Sequence, residues 1–238
     1  ILIALFTKTT NMASTQLPLN LKHRPALGGE DFLLAPSNQD AVAWLDKWPD
    51  WPSTGLVIHG PTGSGKTHLA QVFLAQSGGR LIQHEEVLGD TAYAFAQAPA
   101  CILEDADKLT GHRANEEALL HIYNALGETK CHLLLTARTP PGQWKISLPD
   151  LSSRLNAAAS VAIGVPDDTL ITALLVKQFA DRQLSVDESL IAYLIPRMER
   201  SFDAVQRLVD AADMAALAGQ QKITKRLLGR VLRDMETT

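Results

Sequence analysis

The chain of 238 residues has only two cysteines, Cys101 and Cys131, which excludes a secreted scaffold stapled by disulfides. It has no apolar run near the roughly 18 residues that a membrane-spanning helix needs. The longest candidate, Ile1 to Phe6, has no basic flank before it and is short even for a signal-peptide core. Positive charge is not in excess. Lys and Arg number 22 against 26 Asp and Glu, for a net charge of −4, a poor electrostatic footprint for a dedicated nucleic-acid binder. Internal repeats, low-complexity tracts and His/Cys spacings suited to zinc are missing too. The expectation is a cytoplasmic protein with no membrane segment and no direct, specific DNA contact.

What is present is an ordinary globular balance, 46% hydrophobic and 20% charged, enough to bury a core over one or two domains. The first methionine is Met12. Residues 1–11 are therefore read as translated upstream sequence or an appended remnant, outside the fold argument. Residues 13–29 read as a polar arm with one short apolar cluster, Gln16-Leu17-Pro18-Leu19-Asn20-Leu21.

Apolar spacing predicts a helix over 38–48, with Ala41, Val42, Leu45 and Trp48 on one face. Strands are predicted at 56–59, 80–84, 100–103, 131–136 and 161–165, with helices at 67–75, 88–96 and 115–126 between them. Strands alternating with helices indicate an α/β domain with a parallel sheet covered on both faces. After Pro166 the pattern is helical throughout, over 167–183, 186–198, 201–219 and 224–235, with Thr224 as an N-cap. The expected organisation is an arm (1–21), an α/β domain (22–166) and a small helical domain (167–238).

The strongest motif is Gly60-Pro61-Thr62-Gly63-Ser64-Gly65-Lys66-Thr67. It fits G-x-x-x-x-G-K-[ST] directly after a strand and at the start of a helix. The glycines let the backbone wrap a phosphate and aim successive N–H groups inward. The helix N-terminus adds a field that favours an anion. Lys66 can reach the β- and γ-phosphates, and the Thr67 hydroxyl can bind Mg²⁺. A partner acid is needed on the neighbouring strand, and Ala100-Cys101-Ile102-Leu103-Glu104-Asp105 supplies two. Glu104 stands where a Mg²⁺-binding acid is usual and Asp105 where a water-activating acid is usual. The cysteines read as core thiols and the tryptophans as packing.

Read together, these residues resemble the AAA+ ATPases of the DnaA branch, and within that branch the short regulatory inactivators. The resemblance runs from Gln16 to the C-terminus. Glu30 to Asn38 is similar to the branch's adenine-pocket segment, which implies roles for Phe32 and Asn38. Gly65-Lys66-Thr67-His68-Leu69 matches the branch's loop. Leu133 to Pro141 resembles the sensor I strand and its exit, and Leu148 to Leu155 resembles the segment carrying the arginine finger, which puts that role on Arg154. Gln16, Leu17, Leu19 and Leu21 resemble a sliding-clamp-binding peptide, although the same alternation also suits an edge strand.

The resemblance implies an AAA+ P-loop domain with a five-stranded parallel sheet and an all-helical lid, and ADP or ATP with Mg²⁺ as ligands. It implies DnaA and the sliding clamp as partners and weak or no hydrolysis by the chain itself, with a homodimer open. The chain ends at Thr238, without the initiators' DNA-binding domain. It departs from the branch at Arg138-Thr139, where an Asp-Arg pair is usual, and at Asp203, where the lid's sensor II arginine is usual. Arg200 or Arg207 on the same helix face could replace that arginine, with Arg200 preferred, and Arg138 is an alternative finger. A self-oligomerising loader or remodelling ATPase is the second reading.

Overall fold

The computed structural model describes residues 23–24, 32–89 and 92–236. A two-stranded antiparallel ribbon, β1 (His23–Arg24) with β2 (Phe32–Leu33), precedes α1 (Gln39–Asp46). The α/β part then runs β3 (Gly55–His59), α2 (Lys66–Ser77), β4 (Arg80–Ile82), α3 (Ala92–Phe95), β5 (Ala100–Leu103), α4 (Arg113–Glu128), β6 (His132–Ala137), α5 (Pro149–Ala157) and β7 (Ala159–Ala162). The last four elements are helices α6 (Asp168–Asp181), α7 (Glu188–Leu194), α8 (Phe202–Ala218) and α9 (Lys225–Glu236).

Five strands form one parallel sheet in the order β4-β5-β6-β3-β7. The inner strand β3, between β6 and β7, shows why both faces must be covered. Leu56 and Ile58 enter a core with Ala41 and Leu45 of α1 and Leu69 and Phe73 of α2. Val57 enters the opposite core, with Leu119, Ile122 and Leu126 of α4 and Leu151 and Leu155 of α5. Alternate side chains point to opposite faces of a strand, so a run such as Leu56-Val57-Ile58 is apolar throughout only when both faces are dry. A third core lies among α6 to α9, and Leu33 and Ala35 join it from the N-terminal side.

The helix boundaries have local causes. Gly78, at φ +61°, ends α2 in the left-handed conformation that glycine adopts without a Cβ penalty. Asp167 caps α6 by accepting from the Leu170 N–H at 2.8 Å, and Asp187 and Ser201 do the same for α7 and α8. The expected cap Thr224 accepts from the Leu227 N–H at 3.3 Å.

Several expected boundaries move. The last strand is Ala159–Ala162 instead of 161–165, because its register with β3 pairs Leu56 with Ala159 and His59 with Ala162. The strand expected over 80–84 stops at Ile82, where Gln83 caps a single 3-10 turn, His84–Glu86. Of the helix expected over 88–96, Ala92–Phe95 is helical among the described residues. Pro196 shortens the helix expected over 186–198 to Glu188–Leu194 followed by a 3-10 turn. Helix α5 has no counterpart in the sequence reading, although Pro149 at its first position is a start signal.

Candidate nucleotide site

The loop after β3 is shaped by its neighbours. The Gly60 N–H donates to the Ala137 carbonyl at 3.1 Å, which ties the loop to the end of β6. A Cβ on Gly60 would lie 2.2 Å from the Ile163 carbonyl oxygen, so only glycine passes there. Gly63 (φ +73°) and Gly65 (φ +95°) turn the chain left-handed and deliver it into α2 at Lys66. The first N–H groups of that helix have no intrahelical acceptor and suit an anion.

Lys66 is buried, and its Nζ donates to the Gly60 carbonyl at 2.8 Å and the Pro61 carbonyl at 2.7 Å. Three donors on an ammonium leave one for a ligand. Burial pushes the Lys66 ammonium below its usual range; Asp105, Asp107 and Asp203 act against that shift and Arg138 adds to it. The buried Ser64 hydroxyl has no protein partner. A buried lysine with an open donor, an orphaned hydroxyl and a helix start fit a phosphate group.

The two strand-end acids take separate partners. Glu104 accepts from the Thr67 hydroxyl at 2.6 Å, so the two expected Mg²⁺ ligands are in contact. The ring Nε2 of His84 meets the Glu104 carbonyl oxygen at 2.6 Å. Asp105 is held at φ +50°, uncommon for a residue with a side chain. Its N–H donates to the Thr136 hydroxyl at 3.0 Å, and its carboxylate pairs with Lys108 at 2.5 Å. Asp107 accepts from the Arg138 N–H at 3.2 Å. These contacts fasten the acidic turn to the exit of β6.

Helix α8 closes over the loop. The Phe202 N–H donates to the Gly63 carbonyl at 3.2 Å, and the Phe202 ring stacks on His68 with centroids 5.9 Å apart. A Cβ on Gly65 would lie 2.7 Å from that ring. Between loop and helices lies a cleft of about 610 Å³, with Lys66, Thr67, Asp105, Arg138, Arg182 and Asp203 in its wall.

Asn38, Arg154, Arg200 and Arg207 lie outside the cleft wall. The buried Asn38 amide accepts from the Ala35 N–H at 2.9 Å and donates to the Leu33 carbonyl at 3.0 Å, away from the cleft wall. The Phe32 side chain and the whole of Gln16, Leu17, Leu19 and Leu21 lie outside the described residues. Arg200 precedes the N-cap Ser201, so it does not share a helix face with Asp203; its guanidinium forks onto Asp168 at 2.5 and 3.3 Å. Arg207 lines a groove between α8 and α9. The lid arginine in the cleft wall is Arg182, the C-cap just past the end of α6, paired with Asp210 at 2.5 Å; no motif in the sequence marks it. Arg138 lines the chain's own cleft, while Arg154 is exposed on α5, outside the cleft wall and near Tyr123.

The fold has solved counterparts. Domain III of the replication initiation protein DnaA from Thermotoga maritima superposes with a TM-score of 0.74 at 17% identity, over 85% of this chain and 94% of that one. AMPPCP-bound DnaA from Aquifex aeolicus gives 0.66 at 17% identity, over 79% of this chain and 65% of that one. The FIGL-1 AAA domain in complex with ADP gives 0.61 at 12% identity, over 82% and 80%. The fold is that of an AAA+ domain. No family model matches the chain. Among the described residues of this AAA+ fold, no helix is long and apolar enough to cross a membrane.

Proposed function

We propose that the chain is a nucleotide-binding AAA+ regulator that acts on the nucleotide of a partner, in the manner of Hda, the regulatory inactivator of DnaA. The observation that carries this reading is the separation of two constellations. Lys66, Thr67 and Asp105 line one cleft, with Glu104 on the Thr67 hydroxyl, whereas the exposed Arg154 stands outside it on α5. An arginine that cannot serve its own cleft is free to serve a neighbour's.

In this reading Gly60 to Thr67 and His68 hold ADP or ATP, with Lys66 on the phosphates. Thr67 and Glu104 hold Mg²⁺, which neutralises phosphate charge when bound. The AMPPCP and ADP complexes of similar folds support a nucleotide as the ligand. Arg138, Lys177 and Arg182 are the further cations of this cleft, and Arg200 stays with Asp168. The sliding clamp recruits the arm through Gln16, Leu17, Leu19 and Leu21, an extended peptide that orders on binding. The body (22–166) and lid (167–238) then pack against ATP-bound DnaA, and Arg154 stabilises charge developing on the partner's γ-phosphate. Fingers of this kind contribute roughly 10³–10⁵ in rate. Tethering raises the local concentration, so a weak body contact suffices. The setting is cytoplasmic, and the outcome is a block on re-initiation of replication.

The test is turnover of DnaA-bound ATP with DNA-loaded clamp, for wild type, Arg154→Ala and a chain with Gln16, Leu19 and Leu21 changed to Ala. Stimulation that needs the clamp and is lost in both variants is expected. A second reading, a self-oligomerising ATPase, draws support from Arg138 and Asp105 in the chain's own cleft. Steady turnover by this chain alone, with no stimulation of DnaA, would replace the first reading with the second.

A further inference from the structure

Glu116, in the first turn of α4, is a buried carboxylate outside the cleft. It has no exposed surface and, among the described residues, no cationic partner. Its two oxygens accept from the Gly111 N–H at 2.9 Å, the Ser147 N–H at 2.9 Å, the Ser147 hydroxyl at 2.6 Å and the Leu148 N–H at 2.9 Å. Burial pushes the carboxyl up, and the hydrogen bonds from Ser147, Gly111 and Leu148 outweigh it and hold it below its usual range.

The donors come from two segments that matter for the site. Gly111 lies two residues after the 3-10 turn Ala106–Leu109, which Asp105 immediately precedes. Ser147 and Leu148 lead into α5, where Leu148 is the N-cap and brings no side-chain cap of its own. The ionised Glu116 therefore supplies, from another helix, the anion that a helix start favours. Leu151 and Leu155 seat α5 in the core, and Arg154 lies between them on the exposed side. At 1.5 Å per residue, Arg154 stands about 9 Å along the axis from Leu148. The leucines hold the middle of α5 and the Glu116 carboxylate holds its start.

We propose that Glu116 is a positioning residue for Arg154: it locks the start of α5 to the acidic turn, and so sets where the exposed guanidinium stands. The inference rests on the reading of Arg154 as a finger presented in trans. Glutamine has nearly the same shape but turns one acceptor into a donor facing other donors, so Glu116→Gln releases the lock without emptying the site. Ser147→Ala removes one donor only.

The experiment measures stimulated turnover of DnaA-bound ATP against the concentration of full-length chain, with DNA-loaded clamp, for wild type, Glu116→Gln, Ser147→Ala and Arg154→Ala. Circular dichroism and ADP titration accompany each variant. A misplacement near 1 Å costs roughly 10²-fold at a reacting centre. The expected result is therefore a fall of about tenfold or more in maximum rate for Glu116→Gln and about threefold for Ser147→Ala, the smaller loss for the smaller release. The half-saturating concentration and the ADP affinity stay at wild-type values, which a merely structural defect would not preserve. If Glu116→Gln does not fold, Ser147→Ala decides. Full maximum rates in the folded variants, with Arg154→Ala inactive, overturn the positioning role and leave the finger intact. Full stimulation by Arg154→Ala overturns the finger reading and the positioning role with it.

Discussion

The contact between the phosphate loop and α8 yields a sharp test in Gly65→Ala, alone and with Phe202→Ala. Gly65 sits at φ +95°, where an L residue pays roughly 1–2 kcal/mol. The new Cβ would also lie 2.7 Å from the Phe202 ring, closer than packed carbons come. The ring must move, giving up its seat on the loop and its stack on His68; a half-buried aromatic contact of this kind is worth about 1 kcal/mol. The single variant should lose about 2–3 kcal/mol in all. At 2–4 °C per kcal/mol for a chain of this size, its melting point falls by about 4–12 °C. In the double variant the strain remains and the clash is gone, so the two losses should sum to about 1 kcal/mol more than the double variant shows. Thermal and urea unfolding of the four chains in the cycle reads this directly. Additivity within about 0.3 kcal/mol would refute the reasoning, since ring and loop would then not touch.

Other outcomes follow from the same geometry. Lys66→Met should raise the dissociation constant for ADP about 10- to 150-fold, the worth of a charged hydrogen bond of roughly 1.5–3 kcal/mol, as read by calorimetry. Its unliganded melting point should barely move, because losing two carbonyl contacts offsets relief of a buried cation. Thr67→Val should abolish the Mg²⁺-dependent part of nucleotide affinity and leave the Mg²⁺-free part within about twofold, measured by titration with and without the ion. Burial holds His59 and His132 below the ordinary histidine value of 6.5. The unfolded chain therefore takes up protons that the folded chain resists. Stability should be complete above pH 6.5 and decline as the pH falls below it. Urea midpoints across that range check the sign, and His132→Gln should flatten the slope.

The phosphate loop was legible because its chemistry is local. Glycines at fixed offsets, a lysine and a threonine on a new helix leave little freedom in what the backbone does, and the contact of Thr67 with Glu104 follows once β3 and β5 share a sheet. The sheet itself was legible from apolar runs such as Leu133-Leu134-Leu135, which only a doubly covered strand tolerates. Arg182 and Arg200 were not legible, for one reason. Which lid arginine reaches the cleft depends on how α6 and α8 cross, and on Ser201 starting α8 one residue after Arg200. A shift of a single residue at a helix start turns a side chain by about 100°. Helix α5 was missed because its apolar content is two leucines four apart, Leu151 and Leu155, too short a pattern to rise above a loop. Glu116 carries no motif at all; its role exists only once Gly111, Ser147 and Leu148 converge on it.

Loop, lid and acidic turn then behave as one coupled unit. The Gly63 carbonyl is held by the first N–H of α8, Phe202 covers Gly65, and the charge of Asp203 acts on Lys66. A phosphate bound at the loop changes the charge that Asp203 faces, and Asp203 lies one residue beyond the ring that touches the loop. On the proposed reading, lid orientation and nucleotide state are linked through three consecutive residues, Ser201 to Asp203. Linkage of this kind is reciprocal: a partner that fixes the lid must alter nucleotide affinity by the factor by which the nucleotide alters the partner's binding. ADP affinity measured with and without the partner, in wild type and in Phe202→Ala, should show that factor shrinking toward one in the variant, and an unchanged factor would sever lid from loop.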